Sequence, residues 1–127
     1  MGYSLISYHP KEKRFYSYKG EVNGVSFIPQ DDFSYYVPSD LKFVIKIKKG
    51  WLDESEGMGE IIDTKGKMIE ILPRPSSKHG KFRVNGIVSG DSASFKFIVE
   101  PFDNSRSYFL WYDVVSGKFS SAGNIAK

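Results

Sequence analysis

Apolar and polar residues alternate along much of this chain with a period of two. In the segment 41–48, Phe43, Ile45 and Ile47 fall on one side and Lys42, Val44, Lys46 and Lys48 on the other. In 94–100, Phe95, Phe97 and Val99 oppose Ser94, Lys96 and Ile98, and in 81–88, Phe82, Val84 and Val88 oppose Arg83, Asn85 and Ile87. Successive side chains of a strand point to opposite faces, so each segment reads as a strand with one buried side. No stretch sustains the 3.6-residue period of an amphipathic helix. Short β-branched and aromatic runs recur instead, and strands are predicted at 3–8, 14–18, 22–28, 41–48, 60–63, 68–72, 81–88, 94–100, 107–115 and 119–122.

The punctuation between these runs has its own chemistry. Asp63-Thr64-Lys65-Gly66, Ser89-Gly90-Asp91-Ser92 and Ser116-Gly117-Lys118 place glycine where a short hairpin needs a left-handed residue. They predict three consecutive hairpins after residue 60. All six prolines fall at strand ends or in loops, where a missing N–H costs a sheet least. One-sided strands joined by hairpins predict an all-β chain built as an antiparallel β-sandwich, with a small closed or partly open β-barrel as second choice. At 127 residues, one domain over the whole of 1–127 is expected.

Three features depart from simple alternation. The run Tyr108-Phe109-Leu110-Trp111-Tyr112 is apolar on both faces, which predicts a central strand covered on both sides. The sharper reading is that Phe109 and Trp111 face a surface that a partner covers. Segments 29–40 and 50–59 look long and irregular, and loops of that length in a compact domain tend to carry function. Val22-Asn23-Gly24-Val25 is echoed by Val84-Asn85-Gly86-Ile87, a pattern that a duplicated half-domain or two independent Asn-Gly bends would produce.

Composition narrows the chemistry. There is no cysteine, which removes disulfides, thiolate nucleophiles and Cys-ligated metals. No apolar run approaches the roughly 20 residues of a membrane-spanning helix, and no signal peptide is seen. The expectation is therefore a cytoplasmic protein with no membrane partner. The net charge of +3 is too mild to imply nucleic acid by itself. Its distribution is uneven: 51–63 carries acids only, while 64–83 is strongly basic. Eight Tyr, ten Phe and two Trp give an aromatic content that suits both strands and recognition surfaces.

Candidate catalytic sets are thin. His9 and His79 stand apart, each beside a turn residue, and no zinc spacing links them. The acidic run at 53–57 has hard oxygen ligands but lacks the alternation of an EF-hand calcium loop. Ser76-Ser77-Lys78 beside His79 has the residue types of nucleophilic catalysis without a recognisable arrangement. Asp31, Asp32, Asp53, Glu54 and Asp103 fit turns as well as they fit paired-carboxylate hydrolysis. No cofactor, metal or catalytic residue is expected.

Lys42, Lys46, Lys48 and Lys49, with many tyrosines, hold the ingredients of a single-stranded nucleic-acid groove, but a lysine-faced strand also protects a sheet edge. Exposed aromatics on a sandwich also suit a carbohydrate ligand. The expected function is a non-catalytic module that binds another protein by occlusion or assembly, as an inhibitor, immunity-type antitoxin or complex component does. Its alternative is a carbohydrate-binding or single-stranded nucleic-acid-binding β domain. The expected binding residues are the aromatic anchors Tyr35, Tyr36 and Trp51, with Asp53, Glu54 and Glu56 as an acidic rim.

Overall fold

The computed structural model describes residues 3–17, 20–38, 42–53, 57–73, 75, 81–90, 94–103 and 106–124. Eleven strands are described: β1 (Tyr3–His9), β2 (Arg14–Ser17), β3 (Gly20–Val22), β4 (Phe33–Pro38), β5 (Val44–Lys48), β6 (Gly59–Ile62), β7 (Met68–Leu72), β8 (Phe82–Gly90), β9 (Ser94–Pro101), β10 (Tyr108–Asp113) and β11 (Lys118–Asn124). They form two antiparallel sheets, ordered β3-β2-β1-β4-β5-β6-β7 and β11-β10-β9-β8. Neither sheet closes on itself, so the fold is a two-sheet sandwich and the barrel alternative is excluded. Among the described residues no helix is long and apolar enough to cross a membrane.

The sandwich follows from the alternation. Phe95, Phe97 and Val99 of β9 are fully buried and meet Ile45 and Ile47 of β5, Ile61 of β6 and Leu72 of β7 in one core between the sheets. Truncating one of these phenylalanines to alanine would cost on the order of 3–5 kcal/mol. The three predicted hairpins pair as β6–β7, β8–β9 and β10–β11, with residues 91–93 of the second turn outside the described residues. At the first of them the Asp63 carboxylate accepts the backbone N–H groups of Lys65 and Lys67, each at 2.9 Å. Gly66 closes that turn at φ 93°.

The large sheet is covered on its other face as well. Ile6, Phe15, Tyr35, Val37, Val44 and Ile62 form a second buried cluster there, with Val25 and Phe27 packed against it. The connection after β3 crosses this face. Phe27 packs its ring 5.2 Å from Phe15 and 5.1 Å from Tyr35, and the Ser26 N–H bonds the Thr64 carbonyl at 2.8 Å.

Several expectations need correction. Residues 22–28 are not a strand beyond Val22; Gly20 and Gly24 adopt φ of 116° and 89°, and the chain leaves the sheet to become the outer covering. Segment 29–40 is not irregular throughout. Phe33–Pro38 form β4, which inserts between β1 and β5 with Ile6 opposite Tyr35 and Tyr36 opposite Ile45. The paired Pro and Asp residues around it mask a strand whose apolar run is Tyr35-Tyr36-Val37. β5 is a central strand rather than a lysine-protected edge: Val44 is buried in the outer cluster while Ile45 and Ile47 fill the inner one.

In β8 the alternation breaks at a register shift around Gly86 (φ 150°), which moves Ile87 onto the core side with Phe82 and Val84. The two Asn-Gly echoes therefore play different parts, one in the crossing connection and one at a bulge. The run at 108–112 does form a central strand, but only one of its faces is covered.

Two contacts set limits on the assembly. Gly59 lies so close to β5 that a Cβ there would stand 1.9 Å from the Lys46 carbonyl oxygen. Across the core, the Tyr112 hydroxyl of β10 donates to the Glu70 carboxylate of β7, joining the two sheets by a polar bond. Burial first, and then the Glu70 acceptor and its charge, raise the Tyr112 hydroxyl above the ordinary value of 10.0. Burial also raises Tyr35 and Tyr36.

Gly59→Ala should force β5 and β6 apart and lower stability by about 2 kcal/mol or more, read as a fall in the urea midpoint. Tyr112→Phe should cost about 1.5–3 kcal/mol at neutral pH through the lost charge-assisted bond. The neutral hydroxyl's contribution is complete below pH 10 and is lost as pH climbs from there toward the folded value, because the unfolded chain ionises first. Denaturation followed against pH should therefore show a shallower alkaline decline in Tyr112→Phe than in the wild type.

Candidate functional site

The small sheet has one face in the core and one face outward. Register puts Phe109 opposite Ile98 and Trp111 opposite Lys96, while their neighbours Leu110 and Tyr112 turn inward to Phe97 and Phe95. Phe109, Trp111, Ile98 and Lys96 are all half-buried on the outer face. The Lys96 ammonium stands 4.7 Å from the Phe109 ring centre and 5.6 Å from that of Trp111. The lysine stem thus lies along the aromatic pair, with its charge held over both rings.

At the β8 side of this face a second group gathers. Arg83 opposes Glu100 in register and grips its carboxylate with two bonds, Nε to Oε1 at 2.9 Å and a terminal nitrogen to Oε2 at 3.2 Å. Asn85 donates to the same carboxylate. The guanidinium lies 4.7 Å from the ring centre of Trp51, which meets Phe102 edge-on at 5.0 Å. Lys81 stands 5.2 Å from the Phe102 ring and 3.3 Å from the Asp53 carboxylate.

Local main-chain bonds place these side chains. The Leu52 N–H bonds the Phe82 carbonyl at 2.7 Å and the return bond is 3.4 Å, which fastens the segment after Gly50 to the edge of β8. Leu52 itself is fully buried in the core. Trp51 is thereby held beside Arg83, and the Phe102 N–H bond to the Lys81 carbonyl at 3.0 Å sets Phe102 against it.

The expected binding residues divide three ways. Tyr35 and Tyr36 are corrected: at 5% and 9% exposure they are core side chains of β4, one in each buried cluster, and not surface anchors. The Tyr35 hydroxyl accepts the Gln30 N–H at 2.9 Å, so even its polar end is engaged. Trp51 and Asp53 do come together, through Phe102 and Lys81. Glu54 and Glu56 lie outside the described residues, as do His79 and 76–78.

The lysine face of β5 is not an open groove. Lys46 is held at 3.7 Å from Glu60 and 4.3 Å from the Phe33 ring centre. His9 packs edge-on against Tyr16 at 4.6 Å. Among the described residues no group of three or more His, Asp or Glu is placed to hold a metal ion.

Arg83, Lys96, Glu100 and Phe102 were not expected as site residues. The alternation of 81–88 and 94–100 already put Arg83 and Lys96 opposite the core, but nothing in sequence brings Trp51 next to them. Compared with protein-family models, with curated proteins and with solved structures, the chain matches none.

Arg83→Ala removes the cation over Trp51 and one side of the Glu100 pair at a surface where such contacts contribute about 1 kcal/mol. The variant should remain folded while Trp51 becomes more open to acrylamide quenching of its fluorescence, measured in a Trp111→Phe background so that one indole reports.

Proposed function

We propose that this chain is a non-catalytic protein-recognition module that docks through the outer face of its four-stranded sheet. The observation that carries the reading is the company kept by its aromatics. Half-buried Phe109 and Trp111 on the outer face of the small sheet, and half-buried Trp51 and exposed Phe102 beside its β8 edge, are each in contact with a cation of Arg83, Lys81 or Lys96. Trp, Phe and Arg are the residues in which binding energy concentrates, and β-strands hold them at fixed spacing, so little entropy is lost on contact. The carboxylates of Glu100 and Asp53 lie beside the arginine and lysine, where they set charge preference and register rather than affinity.

Trp51 is kept as an anchor as expected from sequence, Trp111 stands in for Tyr35 and Tyr36, and Asp53 is again read as rim. The mode of action is occlusion or assembly: a flat, rigid, aromatic face covers a complementary patch on the partner.

Trp111→Ala and Trp51→Ala should leave far-UV circular dichroism unchanged and weaken partner binding by about 2 kcal/mol or more each. The check is capture from native lysate on the tagged protein at physiological salt, after nuclease treatment, followed by titration of the purified partner against both variants. A partner that binds all three proteins equally sinks this reading. Ligands that survive only as sugars, or that are lost with nuclease or with added salt, transfer the same face to glycan or nucleic-acid recognition.

A further inference from the structure

β7 ends the large sheet, and among the described residues it pairs only with β6. In an antiparallel pair alternate residues turn their N–H and C=O groups away from the neighbour, so β7 offers unpaired main-chain groups along its open side. Sheet proteins usually guard such an edge with proline, a charge on the strand, a β-bulge or a covering segment. β7 reads Met-Ile-Glu-Ile-Leu, with no proline; its one charge, Glu70, is turned inward to Tyr112, and its register shift against β6 falls at its first half, leaving Glu70–Leu72 in regular pairing. Met68, Ile69 and Ile71 are left 50%, 57% and 61% exposed.

The position of the isoleucines matters. Ile71 pairs with Glu60, which pairs with Lys46 and so with Tyr35, placing all four on the outer face of the large sheet. The connection carrying Val25 and Phe27 covers the middle of that face. Ile71 continues the face past the end of the buried cluster, and exposed Ile69 stands beside it at the register shift of β7.

We propose that β7 is a docking edge for an extended segment of a second protein, which adds to the large sheet as an antiparallel eighth strand. Every pairing in both sheets is antiparallel, and exposed Ile71, with exposed Ile69 beside it, supplies apolar contact for the incoming segment. Charge sets its direction and composition. The turn leading into β7 holds exposed Lys65 and Lys67 against the single carboxylate of Asp63, which is engaged by backbone N–H groups. An antiparallel segment brings its C-terminal end to that turn, so acidic residues belong at that end.

A second copy of this chain is a poorer occupant. To keep the faces matched, β7 must pair with its own copy about one of its residues. Centring on Glu70 sets glutamate against glutamate, centring on Ile71 sets Ile69 against Pro73, and centring on Ile69 sets Ile71 against Lys67. Each register loses an apolar pair or adds a repulsion.

This edge is separate from the outer face of the small sheet, and the experiment keeps the two apart. The isotope-labelled full chain is titrated with a synthetic eight-residue peptide that alternates threonine with valine or isoleucine and ends in two glutamates. Amide shifts confined to Met68–Leu72 and the strand's flanks, with slowed hydrogen exchange there, are expected. The same peptide ending in two lysines should bind roughly tenfold more weakly at low salt.

Ile71→Asp, at an exposed position, should abolish binding with circular dichroism unchanged, while Trp111→Ala should bind the peptide as the wild type does. Three results would overturn the proposal: no shifts at millimolar peptide, equal binding of a peptide N-methylated at alternate residues, or wild-type dimerisation in sedimentation that Ile71→Asp removes.

Discussion

Strand β5 sends buried apolar side chains to both faces, and much of the fold follows from that constraint. Its backbone is satisfied by β4 on one side and β6 on the other, and its apolar side chains fill both buried clusters. A charge in such a strand survives only where it has an ion partner or reaches the surface. Lys46 has Glu60 beside it and an aromatic ring beneath. The approach of β6 is close enough that only glycine serves at position 59. The small sheet packs on one side of this strand and the 23–30 crossing on the other, so the two coverings depend on a layer that is apolar in both directions.

This explains how much of the molecule was legible in the sequence. Strands with one wet face announce themselves by alternation, and β7, β8 and β9 were placed within a residue or two of their observed limits. The hairpin turns were legible because aspartate and glycine have specific backbone roles there. β4 was missed for the opposite reason: a strand buried on both faces has no alternation, and its Tyr-Tyr-Val run sits among prolines and aspartates that imitate a loop. The same error made surface anchors of Tyr35 and Tyr36. Trp51 could be singled out from sequence as a loop aromatic, but its neighbours come from β8 and the end of β9, and proximity of that kind is a property of the packed sheets.

The two sheets treat their outer faces differently. The large sheet hides its own behind a crossing segment and, among the described residues, leaves large apolar side chains exposed on its last strand. The small sheet keeps its outward aromatics half-buried, with a cation over their rings. Lys96 and Arg83 make a hydrophobic platform tolerable in water without removing it. One chain thus carries two surfaces of different character, an aromatic face with cations against its rings and a main-chain edge.

The connectivity of the small sheet has a kinetic meaning. Its strands β8, β9, β10 and β11 are neighbours in sequence as well as in space, so the sheet is a meander that grows by closing short loops. The large sheet instead requires β1 to find β4 across two intervening strands and the crossing connection. Closing the longer loop costs more chain entropy before any contact repays it, which makes it the slower event. Phe109 and Trp111 therefore lie in the part of the chain joined by short closures, while Trp51 reaches them only when the segment after β5 docks on the edge of β8.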